Sequence, residues 1–398
     1  MSNTSNIYQD RAYWDYIIGE NPTSGDFETR DRNGVLISDD ADFGTQFNAT
    51  MTLMDNGGVP TGTCAIQGDT TYTYAVTPTV VGDGSYLEKP IDIIGVGGSF
   101  PKLTPDEGVV GFEYGGGCNI HLHRLHIDQP TGGAGVTALK SVNAGGGAYG
   151  ETGCWFGKFG DIKIEGGVAG ENLWHMEDAE WYQIYGRIIA IGASGVHPVL
   201  FENTAAAAFS YHESVMNGQM FITTVGEDTV GLEFLGDSAH KLNLMNWGGS
   251  IWIKNTVPGS DGSIGVKSTY QVNSRIGQIH VETVDTMLQV NAGTMTTNFD
   301  FGNTYNIFTT NGSNKIGLDM NSGSYNCTIQ NFLCYFGSFT AVWVDDDNDD
   351  GNAPHKYENI TLQGNGGVCT EDLGAQAIVE SIGATGRNHR RLGSGTFP

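Results

Sequence analysis

Hydrophobic and polar positions alternate with a period of two in many short stretches beyond residue 90. In IHLHRLHID, which begins at Ile120, leucine and isoleucine alternate with histidine and aspartate, and the alternation slips by one residue at Arg124. A period of two places successive side chains on opposite faces of a β-strand. The pattern therefore predicts strands with one buried face and one polar outer face.

Strand-like segments recur in pairs, which indicates a repeat. The first members of five pairs start at residues 231, 264, 286, 316 and 341, so their spacings are 33, 22, 30 and 25 residues. The second members are 242–246, 275–281, 297–301, 327–333 and 358–362. An irregular repeat of this size, with a few short strands in each unit, is typical of a solenoid.

Glycine supports the same interpretation, because 59 of the 398 residues are glycine, about twice the usual share. Glycine and asparagine adopt the left-handed conformations that tight corners between stacked strands need. A β-sandwich or jelly roll is the rival architecture, but it favours hairpins at a spacing of about 8–12 residues. The longer period favours an all-β parallel solenoid.

The chain divides into three predicted segments. Residues 1–40 are aromatic and polar, have no repeat character and are predicted to be an attachment segment. Residues 41–383 form the predicted solenoid, in which 41–54 and 203–209 are the best candidates for helices. Residues 384–398 form a basic tail with three of the nine arginines, which is either a loose end or an electrostatic contact to an acidic neighbouring subunit.

The net charge of the chain argues against one class of partner. Asp and Glu total 45 and Lys and Arg total 19, which gives a formal net charge of −26. Such a surface repels phosphate backbones, so we expect no nucleic-acid partner. The composition fits a hypersaline environment, where salt screens the repulsion; an acidic extracellular protein of a mesophile is the alternative. No apolar run approaches the ~18 residues of a membrane span, and the start lacks a signal-peptide pattern.

The stretch 41–98 resembles the N-terminal entry of right-handed parallel β-helix proteins of the pectate-lyase-like superfamily. The features that carry the resemblance are an amphipathic segment at 43–54, a Gly–Thr–Tyr-rich strand at 70–76, and an I-x-I-x-G-x-G coil at 91–98. The resemblance extends over about 41–380. It implies a right-handed parallel β-helix whose open end is covered by a short helix.

Within that superfamily, the separate N-terminal segment is similar to viral spike and fibre proteins, and the acidity favours a virus of halophilic archaea. The resemblance implies a protein of the virion surface, a homotrimer bound to other virion proteins through its N-terminus. Its outer face would bind host cell-surface glycan or S-layer. A capsid or tail decoration protein without receptor binding is an alternative.

A polysaccharide-degrading glycanase or lyase is the alternative from another class. The Asn-Thr-Asp, Gly-His-Gly and Arg-Ile-Lys segments of polygalacturonase-like members do not occur in the sequence. No arginine lies in a pectate-lyase motif. Enzymatic activity is therefore an open question, and the sequence favours a non-enzymatic role.

The acidic run from Asp345 to Asp350 is the most specific candidate for a site. Asp346, Asn348, Asp350 and the following glycine match the opening of a calcium-binding loop, in which oxygen ligands alternate before a turn. The closing glutamate is out of register by one residue. The run predicts either a bound Ca²⁺, Mg²⁺ or Na⁺ or a solvated acidic loop.

A second candidate combines aromatic rings with carboxylates. Trp174, Trp181, Tyr182 and Tyr185 surround an acidic cluster and form the predicted glycan-binding site. Glu177 and Asp178 are weak candidates for catalytic residues, because two carboxylates can hydrolyse a glycosidic bond. A plain loop or a trimer contact remains an alternative.

Histidine and cysteine patterns give further expectations. His121 and His123 could share a metal or contact a glycan, but the pattern favours an ordinary exposed strand face. The six cysteines contain no C-x-x-C pair, and we expect free thiols in the solenoid interior.

Overall fold

The computed structural model describes residues 14–55, 61–81, 90–115, 119–133, 135–142, 156–179, 181–203, 213–257, 262–308, 315–337, 340–347, 353–364, 368–372, 378–379, 382–385 and 389–391. The fold is an all-β parallel solenoid with one short helix. The chain forms two compact units, residues 1–189 with 206–208 and residues 190–205 with 209–398.

The first unit contains the helix α1 (Phe43–Leu53) and fourteen complete strands. These are β1 (Tyr16–Glu20), β2 (Phe27–Asp31), β3 (Leu36–Asp40), β4 (Gly62–Gln67), β5 (Thr71–Tyr74), β6 (Thr79–Val81), β7 (Ile91–Val96), β8 (Lys102–Pro105), β9 (Phe112–Gly115), β10 (Ile120–Gln129), β11 (Leu139–Val142), β12 (Lys158–Gly166), β13 (Asn172–Glu177) and β14 (Tyr182–Ile184).

Parallel ladders build the first unit. β1 pairs with β4, β4 with β7, β7 with β10, and β10 with β12. A second parallel ladder contains β6, β9, β11 and β13. At the N-terminal edge, β1, β2 and β3 pair antiparallel.

The predicted attachment segment joins this architecture in its described part. β1 is hydrogen-bonded to β4, and Trp14 is 6% exposed in a cluster with Ile17 and Ala65. The indole therefore packs inside the chain. Residues 1–13 lie outside the described residues, and the attachment role of 1–40 stays a prediction.

The helix α1 occupies the position that the sequence predicts. The Asp42 carboxylate caps it by accepting the Thr45 N–H at 2.7 Å. Phe43 and Phe47 are fully buried, with ring centroids 4.7 Å from Tyr72 and 5.4 Å from Phe112 respectively. Helix and strands thus share one core. The other predicted helix, at 203–209, lies outside the described residues except for Asn203, which is not helical.

The second unit contains the remaining strands, and the division between units falls inside β15 (Arg187–Ser194). The others are β16 (His197–Glu202), β17 (Ser214–Met216), β18 (Gln219–Val225), β19 (Val230–Leu235), β20 (Leu242–Asn243), β21 (Met245–Trp247), β22 (Ser250–Asn255), β23 (Ile264–Thr269), β24 (Gln271–Val272), β25 (Arg275–Ile276), β26 (Ile279–Val284), β27 (Thr286–Val290), β28 (Asn298–Asp300), β29 (Tyr305–Phe308), β30 (Ile316–Met320), β31 (Thr328–Gln330), β32 (Leu333–Gly337), β33 (Thr340–Asp346), β34 (Lys356–Glu358), β35 (Ile360–Gly364), β36 (Val368–Asp372), β37 (Ile378–Val379), β38 (Ile382–Thr385) and β39 (His389–Arg391).

In the described part of the second unit, three long parallel ladders run from coil to coil, and β20 and β24 form a further short parallel pair. The first contains β17, β21, β25, β28, β31, β34 and β37. The second contains β18, β22, β26, β29, β32, β35 and β38. The third contains β19, β23, β27, β30, β33, β36 and β39. The five segments that the sequence pairs as first members all belong to the third ladder.

Asparagines at one corner of the second unit stack on each other. Asn303, Asn331 and Asn359 all have a positive φ, between 53° and 57°. The Asn359 amide donates to the side-chain oxygen of Asn331 at 2.8 Å and to that of Asn303 at 3.2 Å. Asparagine tolerates the left-handed region better than most side chains. The corner thus confirms that asparagine, like glycine, serves the turns between strands.

Aromatic and aliphatic side chains fill the interior of both units. In the first unit the Trp174 ring lies 5.3 Å from Phe159, and in the second the Trp247 ring lies 5.0 Å from Phe201. All four are fully buried. Among the described residues, no helix is long and apolar enough for a bilayer span.

Candidate functional site

The polar outer face of β7, β10 and β12 carries histidine, lysine and carboxylate side chains from neighbouring coils. The register places His121 beside Asp92, and places His126 between Lys102 on β8 and Lys163 on β12. The residues that alternate with these histidines on β10, such as Leu122 and Ile127, are buried and face the core. Alternation along β10 therefore produces the outward row.

The predicted slip at Arg124 is confirmed. Arg124 has a φ of 59°, and Asp161, in the equivalent position of the next coil, has a φ of 49°. A left-handed residue turns the strand and resets the alternation. As a result β10 follows β7 before the bend and β8 after it, and histidines face outward on both sides.

At one end of this face, two histidines are held by neighbours from other coils. His121 Nδ1 lies 2.5 Å from the Asp92 carboxylate. The His123 ring stacks on Tyr185 with a centroid distance of 5.9 Å and an interplanar angle of 20°. Gly160 makes this stacking possible, because a Cβ there would lie 2.7 Å from the Tyr185 ring. The result is a half-exposed aromatic pair.

At the other end, a groove of about 590 Å³ opens beside His126. It is lined by Asp69, Thr70, Thr71, Ser99, Phe100, Lys102, His126, Lys163 and Ile189. The Lys102 ammonium lies 2.6 Å from Asp128, and Glu165 lies 2.6 Å from both His126 and Lys163. The groove thus offers fixed donors and acceptors beside an aromatic ring.

Electrostatics set the protonation of these groups. Burial lowers the pKa of His126, and the Lys163 charge lowers it further, so its imidazole is neutral at pH 7. Burial alone would raise the pKa of Glu165, but hydrogen bonds from Lys163 and His126 lower it overall. The hydrogen bond to Asp128 raises the pKa of Lys102. The groove therefore presents two ammonium groups and a neutral imidazole, and the Glu165 carboxylate lies next to them.

This arrangement suits polar, hydroxyl-rich ligands that offer both donors and acceptors. Sequence reasoning identified the histidine row but missed Lys102, Lys163 and Phe100 as its neighbours. Their spacing along the chain depends on coil lengths, which vary. The available signal was the alternation in 158–166, where Lys163 and Glu165 occupy outward positions.

The four aromatic residues predicted to bind glycan divide into two groups. Trp174 and Tyr182 are fully buried, and the Trp174 indole donates to the Tyr114 hydroxyl at 3.0 Å. These two rings belong to the core. Trp181 and Tyr185 are 37% and 47% exposed. Glycan binding at these two exposed rings stays a prediction.

The two weak catalytic candidates are adjacent at the end of β13. The Glu177 N–H donates to the Ser141 hydroxyl, which donates to the Glu177 carbonyl at 2.8 Å. Asp178 is 4% exposed and has a φ of 50°. Their backbone is thus part of a tight bend after the strand, and their catalytic role stays a prediction.

The predicted cation loop lies partly outside the described residues, because Asn348 and Asp350 are not among them. Asp346 is buried, and its carboxylate accepts the Tyr357 O–H at 2.7 Å. In the part of the chain that the structure describes, no three His, Cys, Asp or Glu side chains cluster as a metal site. The cation stays a prediction.

The expected free thiols are confirmed for three cysteines. Cys64, Cys327 and Cys334 are buried thiols outside any disulfide. Burial raises the pKa of Cys327 to about 12, so its thiol is protonated and unreactive at neutral pH.

Comparisons with known proteins give little beyond the geometry. No protein-family model matches the sequence, and no curated protein matches it. Among solved structures, the chain is similar to one titled Geobacillus virus E2 ORF18, with 10% sequence identity and a TM-score of 0.27. The match covers 89% of this chain and 59% of that viral chain. At this level of similarity the match carries no argument about function.

Proposed function

We propose that the chain is a structural spike or fibre protein of a virion surface, and that its outer face attaches to host cell-surface glycan or S-layer. The observation that carries the proposal is the outward row of histidines, lysines and carboxylates on β10 and β12, which lies beside the Tyr185 ring and an open groove. A solenoid presents such rows as long, flat binding surfaces.

The chemistry of this outer face, from the His123–Tyr185 pair to the groove, supports a glycan as the attached group. A sugar has an apolar C–H face that packs on an aromatic ring, and hydroxyl groups that both donate and accept. The His123–Tyr185 pair supplies the ring surface, and Lys102, Lys163 and Glu165 supply donors and an acceptor. Assembly as a homotrimer, with residues 1–40 bound to other virion proteins, completes the proposal.

Adsorption of the purified, fluorescently labelled chain to cells of the candidate host tests the proposal. We expect saturable adsorption that extracted envelope glycan or purified S-layer competes away. Tyr185→Ala should weaken it several-fold, because the exposed ring is removed. Val76→Ala, which truncates a residue 44% exposed in the same unit and outside the groove, is the matched control.

Two outcomes would replace the proposal. Absence of adsorption by the folded chain would favour a decoration protein that stabilises the particle. Continued release of reducing ends or unsaturated sugars from envelope polysaccharide, abolished by Glu177→Gln or Asp178→Asn, would favour a polysaccharide-degrading enzyme.

A further inference from the structure

A second outward row, in the other compact unit, consists of aromatic rings. The register places Phe221 on β18 opposite Trp252 on β22, and Trp252 opposite His280 on β26. Glu282 lies opposite Ile307, and Tyr305 is the outward position two residues before Ile307, so Tyr305 continues the row on β29. We call Phe221, Trp252, His280 and Tyr305 the aromatic row.

In the aromatic row, Trp252 contacts Phe221 and His280, and the rings of Trp252 and Tyr305 are open to solvent. The Trp252 ring lies 6.2 Å from Phe221 and 4.7 Å from His280. Trp252 is 44% exposed and Tyr305 is 51% exposed. Adjacent strands lie about 4.8 Å apart, so four rungs span about 14 Å. The row ends at Leu333, which is opposite Tyr305 on the next coil.

Hydrogen-bonding groups flank the rings on both sides. One side has the Glu282 carboxylate, which lies 2.8 Å from His280 Nε2 and 3.4 Å from the Lys254 ammonium. On the other side, the Ser250 hydroxyl donates to the Gln278 side-chain oxygen at 3.1 Å. Acceptors and donors therefore stand within one strand position of exposed ring surface.

This mixture argues against a protein–protein interface. The centres of such interfaces are depleted in charged residues, lysine and glutamate above all. Here Lys254 and Glu282 occupy the row next to Trp252 and His280. Alternating ring surface and hydrogen-bonding groups match the two kinds of surface that a sugar ring presents.

The charged side chains around the aromatic row indicate whether a neutral or an anionic polysaccharide would bind. The Lys254 ammonium is compensated by Glu282, and the Arg275 guanidinium lies 3.9 Å from Asp300. With these cations paired in a chain of net charge −26, the row has no excess positive charge to hold a polyanion. The length of four rungs favours a polymer over a single sugar.

We propose that the aromatic row binds a neutral polysaccharide chain, whose sugar rings pack on Trp252 and Tyr305 while their hydroxyls bond to Glu282, Gln278 and Ser250. This assignment rests on the proposed attachment function and names its ligand class. It adds a site that is separate from the His126 groove of the other unit.

Native gels cast with a soluble polysaccharide test the proposal directly. The probes are dextran, yeast mannan and hydroxyethyl cellulose as neutral polymers, and alginate as a polyanion. We expect at least one neutral polymer to retard the full chain, and alginate to retard it less. Trp252→Ala should weaken the retardation at least tenfold. Leu244→Ala is the matched control, because Leu244 is also 44% exposed in this unit and lies outside the row.

A second variant protects the test against misfolding. If Trp252→Ala loses the wild-type circular dichroism spectrum, Tyr305→Ala, at the exposed end of the row, replaces it in the test. We expect Tyr305→Ala to weaken the retardation by threefold or more. The proposal is overturned if no neutral polymer retards the chain, if alginate retards it most, or if the folded variants are retarded like the wild type.

Cell adsorption of the same variants separates this proposal from the attachment function. If wild type and Trp252→Ala adsorb equally and the gels show no retardation, attachment stands and the aromatic row is not its site. If the wild type fails to adsorb, the attachment function fails, and the gels alone decide whether the row binds a polysaccharide.

Discussion

At the scale of single residues, the fold depends on side chains whose backbone or protonation state is unusual. Asn331 combines a φ of 56° with side-chain hydrogen bonds to Asp300 and from Asn359. His355 is fully buried and lies between the Ser324 hydroxyl and the Cys327 N–H. Each residue gives a measurable prediction.

Replacing Asn331 should separate backbone strain from lost hydrogen bonds. Asn331→Ala loses the amide contacts and also forces a Cβ-bearing residue into the left-handed region, at a combined cost of about 2–3 kcal/mol. Asn331→Gly loses only the contacts and should cost about 1 kcal/mol. Thermal melts followed by circular dichroism measure the order. Equal losses for the two variants would contradict the strain argument.

His355 predicts a loss of stability in mild acid. Burial lowers its pKa from 6.5 to about 4, and Nδ1 accepts the Cys327 N–H in the neutral form. Because the folded pKa lies below the unfolded one, this contribution is complete above pH 6.5 and disappears as pH falls towards 4. Its size is about 3 kcal/mol.

Chemical denaturation at pH 7.5 and pH 4.5 checks the histidine prediction. The wild type should lose more stability between these pH values than His355→Gln, in which the titrating group is absent. An identical pH dependence in the two proteins would show that His355 is not responsible. Comparing each protein with itself at two pH values removes the cost of the substitution.

At the scale of elements, each coil repeats the same three ladder positions although the coils differ in length. Asn298 on β28 lies opposite Thr328 on β31, thirty residues later in the chain. Removal of residues 298–327 would therefore bring Thr328 into the position that Asn298 occupies. The interior would keep its three ladders.

We expect the chain without 298–327 to fold with its β-sheet spectrum intact and a melting temperature lowered by a few degrees, because one coil of core is lost. A deletion of 298–312, half as long, is the control. It puts the following strands out of register with the preceding coil and should unfold or aggregate. Circular dichroism and size-exclusion chromatography distinguish the two. Equal behaviour of both deletions would contradict stacking by whole coils.

The elements also show what the sequence could predict. Period-two alternation and the recurrence of paired segments located the strands, and the turn of β10 at Arg124 was visible as a slip in the alternation. The helix at 43–53 followed from its amphipathic pattern. These features are local, so they appear within a few residues.

The sites were less predictable because they combine residues from different coils. Phe221, Trp252, His280 and Tyr305 are separated by 31, 28 and 25 residues, so no fixed period brings them together. Trp174 and Tyr182 were placed at the surface because acidic residues surround them along the chain, although both rings are buried. The residues that surround a side chain come mainly from adjacent coils, and these are far from it in the sequence.

At the scale of the whole molecule, the net charge of −26 is the dominant electrostatic property. Ion pairs such as Lys102 with Asp128 compensate only part of it, and partly exposed pairs of this kind contribute about 1 kcal/mol or less. Repulsion among the uncompensated carboxylates destabilises the compact state at low salt.

Stability should therefore rise with salt. Raising KCl from 0.1 M to 2 M shortens the Debye length from about 10 Å to a few ångströms, and we expect the melting temperature to increase by more than 10 °C. Tetramethylammonium chloride at the same ionic strength separates screening from specific potassium binding. A melting temperature that is constant or falls with KCl would contradict the expectation of a hypersaline environment.

The unequal lengths of the coils have a consequence for how such a protein changes over time. Added or removed residues are absorbed at the corners, while the strands of β19, β23, β27, β30 and β33 stay aligned. The residues exposed at the corners can thus change in number and type while the strand pairing stays the same. If selection favours recognition of altered cell envelopes, the corner loops can change in sequence and length while the paired strands are conserved.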